Sequence, residues 1–250
     1  MYVGLIPEIF TKTLSDKTAL IYITDKDKQE DKTFRTIRKV FRNILTLNYT
    51  CIVGENCEKK FGELKETIKL VDFVLNALRK GVQVIFVVDA TEKRKYVSIS
   101  IAYAIAKYIF ELEDEKLKAY FNTPFFQIND EIIEKIKKAY IQYLKWKLES
   151  FTFTFGTSRT LAKFKEHIFN SETSKSFCGL FKLEDERYGF GEIPYYENLY
   201  DNFYEYINAP ENDFYFCKTC KKSYNKKFAL VYEKLKRLEG DNIKRKLVDY

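Results

Sequence analysis

The apolar positions of this chain fall into two kinds of run. Val84-Ile85-Phe86-Val87-Val88 is unbroken and stops at one acid, Asp89, while Ala19-Leu20-Ile21-Tyr22-Ile23 ends in the polar cluster "TDKDKQEDK". Short continuous apolar runs bounded by polar loops predict buried strands, and their lack of alternation places them in a sheet covered on both faces. The second kind is periodic. Residues 63–79, "ELKETIKLVDFVLNALR", set Leu64, Ile68, Val71, Val74, Leu75 and Leu78 three and four apart, which predicts an amphipathic helix that Gly81 is placed to stop. A helix apolar on most of its faces is expected over about 97–109. Another, "DEIIEKIKKAYIQYLKWKL", opens after Asn129-Asp130, with acids early and lysines late to suit the helix dipole. Strands alternating with helices over residues 1–148 predict an α/β domain with a central, mainly parallel sheet flanked by helices.

After Leu148 the texture changes. "ESFTFTFGTSRT" alternates like a strand and turn, and "FALVYEKLKRLEG" reads as a helix ended by Gly240. Residues 149–250 are therefore expected to form a smaller, aromatic-rich α+β region with a basic end. The formal charge of +7 is uneven. Lys218–Tyr250 holds eleven Lys and Arg against four acids, whereas Glu184–Asp213 holds nine acids and one arginine. Either the two segments pack and neutralise each other, or the basic tail, residues 218–250, is aimed at an acidic partner such as RNA.

Composition narrows the class. With 46% hydrophobic and 32% charged residues, the chain can bury a core. No apolar run approaches the roughly 18 to 20 residues that cross a bilayer, so no membrane partner is expected. The start, "MYVGLIPEIFTK", lacks the basic opening and long apolar core of a signal peptide. Five cysteines in an irregular pattern suggest free thiols in a reducing compartment. The expected location is cytoplasmic or nuclear.

The segment "FVLNALRKGVQVIFV", its charged loop and "SISIAYAIAKY" together resemble the dual-specificity branch of the cysteine-dependent protein phosphatases. That family runs from a helix through a "GG.V.VHC" strand and an H-C-x-x-G-x-x-R-S loop to a helix containing "AYLM". Counting back from Ala102-Tyr103 puts Val88 at the histidine, Asp89 at the nucleophilic cysteine, Glu92 at the glycine and Lys95 at the arginine, with Arg94 beside it. "ELEDEKLKAYF" and "FFQINDEIIEKIKKAYIQY" resemble later family segments. "YTCIVGEN" sits at the strand and acid loop, which makes Glu55 the nearest match to the general acid, and "LIPEIF" at the opening strand. The likeness covers roughly residues 1–148.

The resemblance implies a domain without catalysis. The family's chemistry needs a thiolate to attack phosphorus. Asp89 is no such nucleophile, and it sets negative charge where the phosphate would sit. Glu92 removes the glycine that lets the loop curl its amides inward and adds a second repelling charge. Lys95 lacks the planar fork that grips two phosphate oxygens. A pseudophosphatase that binds a protein partner is the resulting expectation. Two other readings of the strand and its aspartate lack their motifs. An Arf-type GTPase needs a G-x-x-x-x-G-K-[ST] loop and N-K-x-D, and a haloacid-dehalogenase phosphohydrolase using Asp89 needs D-x-D-x-[TV], where this chain has Thr91. The plain structural reading is that Asp89 caps the following helix and the loop holds nothing.

"FYFCKTCKKSYNKKF" carries Cys217 and Cys220, a C-x-x-C pair that is half of a zinc knuckle. A closed structural site needs four ligands, and no second pair follows. Cys51, Cys57, Cys178 and the single histidine, His167, are the other candidates, although a lone histidine is more often a surface or helix residue. No cofactor is required by the sequence, with zinc the one candidate. The stretch also resembles "YKCRKCRR.LF", which opens the C-terminal zinc domain of one phosphatase branch whose members act in maturation of the large ribosomal subunit. That likeness implies a degenerate ribosome-assembly factor contacting RNA or ribosomal protein, although the later cysteine pairs of that domain are missing.

Overall fold

The computed structural model describes residues 2–3, 17–24, 32–53, 60–89, 95–121, 127–154, 165–182 and 200–248. The chain divides into two compact units, Met1–Tyr143 and Leu144–Tyr250.

In the first unit, the two apolar runs become β2 (Thr18–Thr24) and β4 (Val84–Asp89). They pair in parallel, Leu20 opposite Phe86 and Tyr22 opposite Val88. With β1 (Tyr2–Val3) and β3 (Ile44–Asn48) they form a parallel sheet in the order β1-β4-β2-β3. Parallel neighbours need long crossovers, and helices supply them. These are α1 (Lys32–Val40), α2 (Tyr49–Val53) and α3 (Lys60–Arg79). After the sheet come α4 (Lys95–Ala104), α5 (Asp114–Phe121) and α6 (Asp130–Leu148). The expectation of an α/β unit with helices flanking a mainly parallel sheet is met.

Both faces of the sheet are covered. Leu20, Tyr22, Phe86 and Val88 form one buried cluster with Ile37 and Phe41 of α1, where the Phe41 and Phe86 rings meet edge to face at 5.8 Å. The alternate residues Ile21, Ile23 and Val87 are just as buried, which is why the runs are unbroken rather than alternating.

Helix α3 stops where expected. Gly81 takes φ +74, a conformation that costs other residues, and its amide closes on the Leu78 carbonyl at 3.0 Å. Its buried face is Thr67, Leu70, Val71, Val74 and Ala77, whereas Leu78 lies outward at 37% exposure. Helix α4 runs into a π turn at Ile105–Ile109, in which the Phe110 amide reaches Ile105 at 3.0 Å. Asn129 caps α6 as predicted, its Oδ1 accepting the Ile132 amide at 3.1 Å.

Two expectations are corrected. Tyr49–Val53 of "YTCIVGEN" is a short helix, and the strand is the preceding Ile44–Asn48. Nor does Gly240 end the last helix, which runs from Lys218 to Val248. One glycine costs a helix interior only about 1 kcal/mol, too little to end this helix.

The second unit is built on β5 (Ser150–Thr154) antiparallel to β6 (Glu166–Asn170). Asn170 then caps a turn, its Oδ1 accepting the Glu172 and Thr173 amides at 2.9 and 3.0 Å. The chain comes back along β6 through a bridge between Phe169 and Ser176 and a 2.8 Å bond from the Phe177 amide to the Ile168 carbonyl. Helix α7 (Phe203–Asn208) and the long α8 (Lys218–Val248) follow. An aromatic cluster of Phe177, Phe203, Tyr204, Tyr224 and Phe228 joins them, with ring centroids 4.7–6.0 Å apart. The fully buried Tyr224 also donates its hydroxyl to the Leu148 carbonyl.

The two glycines give substitutions of opposite sign. An added methyl meets nothing within 4 Å at either position, so backbone conformation alone decides. Gly81→Ala should lower stability by about 1–2 kcal/mol because φ stays positive. Gly240→Ala should raise it by about 1 kcal/mol because the site is helix interior. Urea unfolding of the two variants checks both signs, and a destabilising Gly240→Ala would contradict the continuous helix.

Candidate metal centre

His167, Cys178, Cys217 and Cys220 offer four ligand atoms that all lie within 4.8 Å of one another. Three separate pieces of the second unit deliver them. His167 stands on β6, one residue after Glu166. Cys178 lies in the turn that folds back beside β6. That turn is closed by a 2.9 Å bond from the Gly179 amide to the Ser176 carbonyl, with Gly179 at φ +79. Cys217 immediately precedes α8, and Cys220 sits in its first turn.

Backbone pairing holds the third piece against the first. The Glu166 amide donates to the Tyr215 carbonyl at 2.7 Å, and the Cys217 amide to the Glu166 carbonyl at 2.8 Å. The C-x-x-C spacing does the rest, because residues three apart at a helix start lie on one face. The Lys221 amide closes the first helical turn on the Cys217 carbonyl at 3.0 Å.

The distances suit a tetrahedral ion. The Cys178 sulfur lies 3.4 Å from His167 Nδ1, and the Cys220 sulfur 3.7 Å from the same nitrogen. Zinc bonds of about 2.3 Å to sulfur and 2.0 Å to nitrogen imply tetrahedral edges of roughly 3.5–3.8 Å. The donor set, three soft thiolates and an imidazole, is a zinc set, and four protein ligands leave no open position for substrate or water. A closed four-ligand set of this kind is suited to organising structure.

Electrostatics show what the cluster costs without an ion. Burial pushes the Cys220 thiol up to about 12, with the Cys178 and Cys217 sulfurs adding to the effect. Burial also opposes ionisation of Cys178. Hydrogen bonds from Ser176, the Leu180 backbone and Cys220 outweigh it and bring that thiol below its usual range. Burial lowers His167, so the ring is neutral near pH 7, the form a ligand must have. The ring is also fixed edge to face against Phe181 at 4.5 Å.

Of the ligand candidates singled out in the sequence, Cys217 and Cys220 come together with His167 and Cys178. His167 is a half-buried strand residue rather than a surface or helical one. The signal for Cys178 is its partner Gly179, a residue suited to the tight turn behind a ligand. Cys51 belongs to α2 of the other unit, and Cys57 lies outside the described residues.

Of the residues that the sequence resemblance placed in a signature loop, Val88 is a fully buried core residue. Asp89 ends β4 opposite Ile23, and Lys95 opens α4. Glu92, Arg94 and Glu55 lie outside the described residues. The described part of the acidic segment pairs with α8. Lys221 binds Asp213 at 2.5 Å, and Lys236 binds Glu205 at 2.5 Å and Asp201 at 3.7 Å. Among the described residues, no helix is long and apolar enough to cross a membrane. The chain matches no family model, no curated protein and no solved structure.

A pH dependence follows from Cys220. Its thiol titrates near 12 in the metal-free chain, so an incoming ion must expel that proton at every pH below this. His167, held below its ordinary value, releases none near neutrality. Zinc affinity should therefore rise at least tenfold per pH unit between about pH 6.5 and 8. Competition with a chromophoric chelator measures this, and a flat profile would contradict it.

Proposed function

We propose that this protein is a non-catalytic binding factor whose C-terminal unit is held in shape by one structural zinc ion on His167, Cys178, Cys217 and Cys220. The convergence of four ligand atoms within 4.8 Å carries the reading. The donors come from segments eleven and thirty-nine residues apart in sequence, 167 to 178 and 178 to 217, so their meeting is a product of the fold and not of local spacing. All four positions are protein ligands, so the ion's contribution is cross-linking. It ties β6, the following turn and the start of α8 into one body.

For the N-terminal unit we propose an inactive domain of the dual-specificity-phosphatase kind that acts by binding a protein partner. What supports this is the order of elements, a central strand ending at Asp89 and a helix opening at Lys95. Asp89, Glu92 and Lys95 at the signature positions argue against phosphate-ester chemistry. The alternative of a ribosome-assembly factor shares the metal-bound C-terminal unit and differs only in the partner. The aspartate-dependent phosphohydrolase reading still lacks its second acid.

The purified protein should contain one equivalent of zinc by elemental analysis. Cys220→Ser should lose it and lower the melting temperature of the C-terminal unit, while Cys51→Ser should keep it. Zinc-free wild type with unchanged stability would overturn the metal.

The same preparation should not hydrolyse aryl phosphates or phosphopeptides. Vanadate-sensitive turnover abolished by Asp89→Ala would overturn the inactive reading.

A further inference from the structure

The loops that carry the metal ligands also carry exposed aromatic rings and lysines without an ion pair among the described residues. Phe214 and Tyr215, just before Cys217, are 76% and 55% exposed, and their rings meet edge to face at 6.1 Å. A soluble surface gains nothing by presenting two large rings side by side in water. They are not loose, because the Tyr215 carbonyl is bonded to the Glu166 amide of β6. Lys165 places its ammonium 3.9 Å from the centre of the Phe214 ring and donates to the Phe214 carbonyl.

Around the Cys178 turn, Lys175 and Lys182 face each other across an antiparallel bridge, and both are exposed. Lys218, also exposed, follows Cys217 at the start of α8. None of these lysines has an ion pair among the described residues. Asp213 is bound to Lys221 and held below the usual carboxylate range by that contact, with the charges of Lys218 and Lys165 adding to the effect. Three thiolates and one zinc ion would contribute a single negative charge beneath this rim, and the four lysines exceed it.

We infer that this face binds single-stranded nucleic acid, with bases stacking on Phe214 and Tyr215 and the backbone phosphates meeting Lys165, Lys175, Lys182 and Lys218. Stacked rings flanked by lysines are what an unpaired strand recognises, because every base has a π-face and every nucleotide a phosphate. An acidic peptide would match the lysines but leave the two rings unused. A duplex would keep its bases stacked inside and likewise ignore them. The inference rests on the zinc reading to the extent that the ion fixes the three loops as one surface.

The test uses the full chain and fluorescein-labelled oligouridylate and oligothymidylate of about 16 nucleotides, read by anisotropy with zinc content measured on the same samples. Wild type should bind both strands. Phe214→Ala with Tyr215→Ala should weaken binding about tenfold or more, the loss of one stacked base. Lys175→Gln with Lys182→Gln should reduce the slope of log affinity against log salt by about 1.4, at roughly 0.7 per phosphate contact. All variants should keep their zinc.

A zinc-bound chain that binds neither strand overturns the inference and leaves the metal reading standing. So does unchanged affinity in the aromatic variant, or tighter binding of a duplex or a polyglutamate peptide. A chain that binds in the expected way but holds no zinc keeps this surface and overturns the metal reading instead.

Discussion

Three sulfurs and an imidazole nitrogen meet in the C-terminal unit, and the proposed zinc ion rests on what surrounds them. The described regular structure around them is a two-stranded sheet, a short helix and one long helix. A lone strand pair is marginal in water. The aromatic cluster around Tyr224 ties Phe177 of the β6 turn to α8, while the segment leading into α8 meets β6 through a few backbone bonds. Polar sulfur atoms crowded into a half-buried site would be a cost if left as thiols, as the strongly raised Cys220 indicates. A bound cation reverses that sign, since it favours the deprotonated form and converts repulsion between neighbouring thiolates into shared coordination.

The two units solve the stability problem differently. The N-terminal sheet buries both faces with aliphatic and aromatic side chains, and its central strands are fully covered. It needs no cross-link. The C-terminal unit spends its aromatic residues on one cluster and leaves others, Phe214 and Tyr215 among them, in solvent. Exposed rings beside a rigid cross-link are more useful for recognition than for stability, which is why the binding surface is assigned to that unit.

Much of the first unit was legible because its signals are local. Val84–Val88 and Ala19–Ile23 could be read as buried strands from composition alone, and Gly81 marked a real helix end because its backbone angle demands glycine. The face of α3 was harder to place. Ile68 and Leu78 fit the same periodicity as Leu70 and Ala77, and only packing against the sheet decides between them. Gly240 misled because it sits in an ordinary helical conformation, where the residue type marks a cost and not a stop. All four members of the candidate metal centre stood among the sequence candidates, but which of those candidates meet was hidden for a different reason. Cys217 and Cys220 stand three apart at a helix start and are visible as a pair, while His167 and Cys178 join them only through the β6 turn. No spacing rule reaches them, although Cys178-Gly179 and the single histidine were the available hints.

The central claim is the identity of the four ligands, and X-ray absorption at the zinc edge addresses it directly. The account predicts three sulfur scatterers at about 2.3 Å and one nitrogen at about 2.0 Å, with the imidazole signature lost in His167→Ala. A shell of two sulfurs completed by oxygen, or an octahedral oxygen shell, would contradict it.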